Sequence, residues 1–298
     1  VSPIHPIYRQ TSVINARNRP LKFLLGATLI MSEIRPLWLL PVITFVVSII
    51  GIAVPCVIGG ANGDLQWILP FISDGGAYAP EKNIFAMLQN ISAVLIALTI
   101  YIKHVQFVAF YESRRSDFFW KFLSYIMTAI GLLAAFGLSL VGDFSEKDLS
   151  DVHNAVAGVT FGAAIVYIIF STGLSFLRPL LCALPVALLR VALALLATGM
   201  LIFHTCVLEF DLFFPPDANI TAYSGDDEPI FLDYDSPYFA HHTVATSSEW
   251  ALGILIFAYF ITVVEEFRKS TLTLPSINFN ADQLLPIEKR PSEENQWN

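Results

Sequence analysis

Long apolar runs that lack charged residues follow one another along this chain. Five windows contain no Asp, Glu, Lys or Arg, namely 36–63, 83–102, 122–142, 152–177 and 191–208. Each is near or above the ~18 residues that mark a candidate membrane-spanning helix. A sixth apolar run has a shorter charge-free centre, because Glu249 opens it and Glu265 and Glu266 close it. The pattern predicts membrane-spanning helices at 38–58, 84–102, 119–142, 154–177, 184–208 and 249–267.

The predicted fold is therefore an all-α polytopic membrane protein with a bundle of six transmembrane helices. This membrane domain (38–267) is flanked by an N-terminal tail (1–37) and a C-terminal tail (268–298). Only 14% of the 298 residues are charged, whereas soluble domains carry about 25%, which excludes a soluble enzyme. Three cysteines exclude a disulfide scaffold. A net charge of −8 without a basic run excludes a nucleic-acid-binding protein, so nucleic acid is not expected as a partner.

Basic residues are unevenly distributed between the two sides of the predicted membrane domain. Fourteen Lys and Arg residues lie on the side of the two tails, against only Lys82 and Lys147 on the other side. Cytosolic segments are enriched in Lys and Arg, so both termini are predicted to be cytosolic. The opposite, lumenal side includes the acidic loop 209–248, in which Asn219 begins an Asn-Ile-Thr sequence. This is an acceptor for N-glycosylation, and the protein is predicted to be a glycoprotein modified at Asn219.

Polar residues at the lumenal ends of the predicted spans form the most specific candidate site. Asp74 and Glu81 precede or open the second span, Asp143 follows the third, and His153 precedes the fourth. These four residues are predicted to lie on one lumenal rim. A histidine among carboxylates can perform acid–base chemistry or bind a metal. The same residues also satisfy helix ends, which are costly to leave unpaired near lipid, and we expect the rim to be mainly structural.

Four other features suggest a structural role rather than chemistry. Gly158 and Gly162 form a Gly-x-x-x-Gly pair, which lets membrane helices approach closely, within the chain or between copies. Cys56 and Cys206 lie near the lumenal ends of their spans and could form a disulfide, with two packing thiols as the alternative. Arg190 lies inside the fifth span, where its side chain is expected to reach the cytosolic interface, and the alternative is that it binds a lipid phosphate or pairs with another residue. His241 and His242 lack a third ligand at a diagnostic spacing, so no metal site is predicted.

Several motifs of this chain resemble the Frag1/DRAM/Sfk1 family, and within it the damage-regulated autophagy modulator branch. The longest runs from Pro70 to Phe85 and reads PFISDGGAYAPEKNIF. Shorter similar stretches are GLSLVGDF at 137–144, His153 followed by GVTFG at 158–162, and SEW at 248–250. The resemblance covers roughly residues 38–270, including the number of spans.

The resemblance implies a multi-pass protein of the lysosomal membrane that promotes autophagy, with a link to stress-induced cell death. It implies neither a catalytic residue nor a cofactor, so the chain is not expected to be an enzyme. The expected partners are membrane lipids and other membrane proteins. Relatives in the wider family act in GPI-anchor lipid remodelling or phospholipid asymmetry. The alternative is therefore a lipid-handling protein of the secretory pathway, in the Golgi, the endoplasmic reticulum or the plasma membrane.

Overall fold

The computed structural model describes residues 33–34, 36–112, 118–177, 181–216 and 231–273. Six long helices make up most of it, and each is long and apolar enough to cross a membrane. They are α1 (Leu39–Asn62), α2 (Glu81–Glu112), α3 (Phe118–Asp143), α4 (Ser150–Leu174), α5 (Leu184–Glu209) and α6 (Phe239–Ile261). A short helix α7 (Val264–Phe267) continues α6, and the candidate span there runs over Phe239–Phe267. The prediction of an all-helical six-span fold is confirmed.

The six helices form a closed ring in chain order. Each helix packs against the next, and α6 also packs against α1. α6 is the most buried of the six candidate spans, and its inner side chains, including Leu252, Tyr259 and Phe260, belong to the central apolar cluster. The centre of the bundle is therefore organised around α6.

The outer faces of the helices carry large apolar side chains that remain exposed in the described part of the chain. Leu133, Phe136 and Leu195 are examples, with Leu195 69% exposed. A soluble monomer rarely exposes contiguous apolar patches of more than a few hundred Å². In a bilayer the same faces contact lipid, which is as apolar as they are.

The sixth helix begins ten residues before the predicted start of the sixth span, because the pattern took Glu249 as a boundary. In the structure Glu249 lies well inside α6 and is only 8% exposed. A carboxylate is tolerated there because the backbone N–H of Ile72 donates a hydrogen bond to it. His241 and His242, which precede the predicted span, are buried in the first turn of α6.

Close helix packing uses different glycines from the predicted pair. A Cβ atom built at Gly158 or Gly162 would have no other atom within 4 Å, so the prediction that these residues pack within the chain is wrong. The tight contacts are made by glycines of α3. A Cβ at Gly137 would lie 2.2 Å from Thr160 Oγ1, and one at Gly131 would lie 2.7 Å from the Tyr167 ring. The reason is that α4 presents Thr160 and Tyr167, rather than its glycines, to α3.

Two short strands form a second, separate unit. β1 (Glu33–Ile34) pairs antiparallel with β2 (Leu272–Thr273), with Glu33 opposite Thr273 and Ile34 opposite Leu272. The strands come from the two segments that flank the bundle in the sequence. Most of the predicted tails, 1–37 and 268–298, lie outside the described residues, as does Asn219.

Candidate functional site

A folded loop, residues 63–80, covers one end of the bundle, and we call it the roof. Its centre is a turn of 3-10 helix, Ser73–Gly76. The turn is stabilised by Asp74, whose Oδ2 accepts a hydrogen bond of 2.7 Å from the backbone N–H of Phe71. The turn also lies directly against α1. A Cβ at Gly75 would come within 3.0 Å of Pro55 Cβ, so a larger residue here would have to move the turn away from α1.

Side chains from α6 hold the roof in place. Glu249 Oε2 accepts a hydrogen bond of 2.8 Å from the backbone N–H of Ile72. The neighbouring Trp250 donates its indole N–H to the carbonyl of Pro70, also over 2.8 Å. Both contacts join residues about 180 positions apart in the sequence. The roof therefore depends on the depth and rotation of α6.

The other side of the roof is fixed by α1 and by the residues that follow α3. The Cys56 thiol lies 3.8 Å from the carbonyl of Phe71 and can donate to it. The Ser145 hydroxyl donates to the carbonyl of Gly76 over 2.9 Å. Buried backbone groups without a partner are costly. These contacts supply partners to a loop that does not form regular secondary structure along its whole length.

The four residues of the predicted rim all lie at the roof end of the bundle. Asp74 is in the roof, and Glu81 is the first residue of α2 and fully buried. Glu81 accepts a hydrogen bond of 3.4 Å from the side-chain amide of Asn62. Asp143 ends α3 and is exposed. His153 lies in the first turn of α4 and is 3% exposed.

Each rim residue is engaged by its own neighbours. Asp143 accepts a hydrogen bond of 2.8 Å from the side-chain amide of Asn90 on α2. His153 Nδ1 lies 2.6 Å from the carbonyl of Phe144, just after α3. Because a carbonyl only accepts, Nδ1 carries the proton. Asp143 and His153 thus join α3 to α2 and to α4, which is a role in holding helix ends together.

The possible disulfide is not formed, since Cys56 and Cys206 are both free thiols in the structure, which is the alternative of two separate thiols. The reason lies in the roof, because the Cys56 sulfur faces the carbonyl oxygens of Phe71 and Ile72. Among the described residues, no group of three His, Cys, Asp or Glu is placed to hold a metal ion. His241 instead lies with Nδ1 2.6 Å from the carbonyl of Leu212, and His242 packs edge-on against Phe71.

A buried group of three charged residues lies towards the opposite end of the bundle, and we call it the charge cluster. It consists of Lys103 on α2, Arg190 on α5 and Glu266 on α7. The Glu266 carboxylate accepts one hydrogen bond from Arg190 Nη1 (2.8 Å) and one from Lys103 Nζ (2.7 Å). Arg190 is fully buried and Glu266 is 1% exposed. Arg190 therefore does not reach the interface, and pairing is the correct alternative for it.

Further hydrogen bonds satisfy the remaining donors of Arg190. Its Nε donates to the Thr262 hydroxyl (2.9 Å), Nη2 to the Thr262 carbonyl (3.0 Å) and Nη1 to the Ser175 hydroxyl (2.8 Å). Thr262 lies between α6 and α7, so the guanidinium holds the break between these helices. A buried charge is tolerated only when it is paired and hydrogen-bonded in this way.

Sequence reasoning missed the cluster as a unit, although a signal was present. Each of the three charges lies next to or within an apolar run, and the three predicted spans place them towards the same side. Ionisable residues at membrane depth usually face the bundle interior and pair with one another. Opposite charges at matching depth on three predicted spans therefore indicate that these side chains contact one another.

The roof, the rim and the charge cluster all lie within the part of the chain that matches a known family. Residues 36–270 match the model of the Frag1/DRAM/Sfk1/Cwh43P N-terminal domain. The chain belongs to the Frag1/DRAM/Sfk1 family. It is a multi-pass membrane protein of that family, as the motifs at 70–85, 137–144 and 248–250 predicted.

Individual proteins are also similar to this chain, over different lengths. The chain is 28% identical over 211 residues to the human DNA damage-regulated autophagy modulator protein 2, covering 68% of this chain and 74% of the relative. It is 25% identical over 228 residues to the human DNA damage-regulated autophagy modulator protein 1, covering 76% and 88%. A mouse protein named modulator of macroautophagy TMEM150B is 35% identical over 125 residues, covering 41% and 50%. No solved structure matches the chain.

Proposed function

We propose that this protein is a modulator of autophagy in the lysosomal membrane, with a link to stress-induced cell death, and that it acts without catalysis. The observation that carries the proposal is the family match over 36–270, which covers the whole described bundle with its roof and its charge cluster. Two human relatives that cover more than two thirds of this chain are named as autophagy modulators. Lysosomal placement is supported by the resemblance of the motifs to that branch. Its partners in this role are membrane lipids and other membrane proteins.

The geometry of the rim supports a role without catalysis. Asp143 and His153 are engaged in contacts between helix ends, and Asp74 stabilises its own turn. A general acid or base needs access to a substrate proton. Each of these three residues instead has a hydrogen bond within the protein itself.

The decisive experiment is loss of the gene followed by complementation with the tagged full-length chain. We expect autophagic flux to fall in the null cells and to recover with the wild-type chain, which should co-localise with a lysosomal membrane marker. The charge-cluster variant Glu266→Ala serves as a misfolding control. Normal flux in the null cells, with the tagged chain in the plasma membrane, would contradict the proposal.

The orientation proposal places the roof in the lumen and both termini in the cytosol. Fourteen of the basic residues lie on the side of the tails, and an even number of spans returns the chain to its starting side. We predict that Asn219→Gln removes an endoglycosidase-sensitive increase in apparent mass on a gel. Asn90→Gln is the matched control, since Asn90 also begins an acceptor sequence but lies within α2. An unchanged mass for Asn219→Gln, with a shift for Asn90→Gln, would require the proposed topology to be revised.

The structural role of His153 gives a second prediction. His153→Asn keeps a donor near the Nδ1 position, whereas His153→Ala leaves the Phe144 carbonyl without its partner. We expect the His153→Asn variant to retain near-normal folding yield and autophagic activity. The His153→Ala variant should be less stable than the wild type by roughly 1–3 kcal/mol. Yield, localisation and flux are measured separately. A variant that folds and localises normally but has lost all activity would show that His153 acts in chemistry.

The lipid-handling alternative is favoured by one observation, a cavity beneath the roof lined partly by Gln89 and Glu249. In this case the protein would act on or move a lipid in the secretory pathway, and GPI-anchor remodelling is the specific version. Lipid analysis of GPI-anchored proteins from null cells tests that version. A changed anchor lipid with normal autophagic flux would favour it over the proposed function.

A further inference from the structure

An open groove lies between α1 and α5, at the end of the bundle opposite the roof. Residues of α1 and α5 form its two walls, and α6 and α7 form its floor, because α6 packs against both of the other helices. The groove has a volume of about 690 Å³, against about 50 Å³ for the cavity beneath the roof. Ile261 lies on its floor and is 37% exposed, so the floor can be reached from outside the bundle.

The groove is apolar along most of its length and charged at one end. Its walls are made of Val and Leu side chains and one Phe, and its floor runs from Ala258 to Arg268. At about 1.5 Å per residue of helix, this floor is about 15 Å long. That is half of the hydrocarbon core of a bilayer, which is about 30 Å thick. The groove therefore has the length and the lining that suit one acyl chain of a lipid in a single leaflet.

Arg268 supplies a free positive charge at the open end of the groove. Its guanidinium is exposed and lies 5.2 Å from the centre of the Trp38 ring. Among the residues that the structure describes, Arg268 makes no ion pair. Glu265 also lines the groove, but its two oxygens accept hydrogen bonds from Lys269 Nζ and from the backbone N–H of Ala183. The charge of Arg268 is therefore available to an anion.

The charge cluster adds a second positive charge directly behind the groove. Its two cations share a single carboxylate, that of Glu266, so one positive charge remains. Arg190 donates to the hydroxyl and to the carbonyl of Thr262, and Thr262 lines the groove. Charges that are shielded from water are screened much less than exposed ones. An anion at this end of the groove is therefore attracted by both Arg268 and the cluster.

We propose that this groove binds a glycerophospholipid whose head group carries a net negative charge. One acyl chain lies in the groove, the phosphate lies at Arg268, and the second chain stays in the surrounding leaflet. Tryptophan is enriched at membrane–water interfaces, so Trp38 places Arg268 at the level of the head groups. An acyl chain gains little by exchanging lipid for an equally apolar surface, so the charges provide the selectivity. This inference does not depend on the proposed role in autophagy.

The first test compares two photoactivatable phospholipids bound to the full-length protein in nanodiscs of phosphatidylcholine. The probes have identical chains, and one is a phosphatidylserine whereas the other is a phosphatidylcholine. We expect the phosphatidylserine probe to label the peptides that line the groove about tenfold more strongly. Glycerophosphoserine, which has the same head group without chains, should not compete at the same concentration. Equal labelling by the two probes, or displacement by glycerophosphoserine, would overturn the proposal.

Substitutions of Arg268 test the charge. Arg268→Gln should reduce labelling of the groove by the phosphatidylserine probe about fivefold, and Arg268→Lys should retain most of it. Lys121→Gln is the matched control, because Lys121 lies in the first turn of α3, at the same end of the bundle but outside the groove. It also removes one positive charge, and it should leave the labelling unchanged. Equal losses in Arg268→Gln and Lys121→Gln would show attraction to the whole surface and contradict the assigned site.

Filling the groove tests its shape. Ala258 lies on the floor, and Ala258→Phe should reduce labelling by the phosphatidylserine probe about fivefold, since the added ring takes the place of part of the chain. Ala192 is exposed on α5 outside the groove, so Ala192→Phe should have no effect. Folding is checked by the temperature at which each purified variant loses monodispersity. If Ala258→Phe fails to fold, the exposed position Arg268 decides the outcome.

A photo-crosslinking amino acid at Leu189, on the wall of the groove, identifies the occupant. The full-length protein is irradiated in nanodiscs that contain both phospholipids. We expect adducts with phosphatidylserine about tenfold above its share of the membrane. Adducts in proportion to the membrane composition would overturn the proposal. Crosslinks to residues 274–298 or to a second copy of the chain would also overturn it, since they would show that protein occupies the groove.

Discussion

Replacing Glu266 with alanine is expected to be among the most damaging single substitutions in this protein. The change leaves Lys103 and Arg190 as two buried cations without a counter-charge. Removing one partner of a buried ion pair costs about 3–5 kcal/mol. We expect a large drop in the yield of monodisperse protein and in its thermal stability in detergent, both measured by size-exclusion chromatography after heating.

Glu265 provides a matched control for this substitution. It precedes Glu266 directly, but it pairs with Lys269 at the surface, where that lysine side chain is 55% exposed. Exposed pairs contribute about 0–1 kcal/mol, and the hydrogen bond that Glu265 also accepts from the backbone N–H of Ala183 is exposed as well. Glu265→Ala should therefore lower the stability much less than Glu266→Ala. Replacing all three cluster residues with apolar ones should restore much of the stability, because an apolar core avoids the cost of burying charge. Equal stability of Glu266→Ala and Glu265→Ala would contradict the assigned role of the cluster.

The helices of this fold could be predicted from sequence because the bilayer imposes a length and a composition on them. Charge-free runs located all six, since a charged residue at membrane depth is costly. The same rule misplaced the start of α6. Glu249 interrupts the apolar run, but the roof supplies a hydrogen bond for it from the backbone of Ile72. A contact between positions 177 residues apart cannot be read from local hydropathy.

For the rim, the sequence predicts at which end of the bundle the residues lie but not which partners they bind. Chain order alone places Asp74, Glu81, Asp143 and His153 at one end, because alternate helices begin and end there. Their hydrogen-bond partners depend on the rotation of each helix, which the apolar pattern does not determine when lipid faces and packed faces are equally hydrophobic. For the same reason the apolar pattern does not indicate that Gln89 and Glu249 line a common cavity with His153.

Replacing Gly142 with alanine is expected to have the second large effect, through helix packing. A Cβ at this position would lie 2.8 Å from Gln89 Cβ and 3.4 Å from Ala86 Cα. These atoms are fixed to the backbone of α2 and cannot rotate away, so α2 and α3 must separate. Overpacking of this kind costs about 1–3 kcal/mol. Separating α2 from α3 would also strain the hydrogen bond from Asn90 on α2 to Asp143, which is next to Gly142. We expect a lower unfolding temperature of the purified protein.

Gly158→Ala is the matched control, because it adds the same methyl group at a position without a close neighbour. A Cβ there meets no other atom within 4 Å, and alanine favours a helix over glycine by about 1 kcal/mol. The variant should therefore be as stable as the wild type or slightly more stable. The sequence motif predicts the opposite, namely that alanine destabilises the protein more at Gly158 than at Gly142, since Gly158 belongs to a Gly-x-x-x-Gly pair and Gly142 does not. If Gly158→Ala lowers the unfolding temperature and Gly142→Ala does not, the face that α4 presents to α3 has been assigned wrongly, and the sequence motif identifies the packed surface after all.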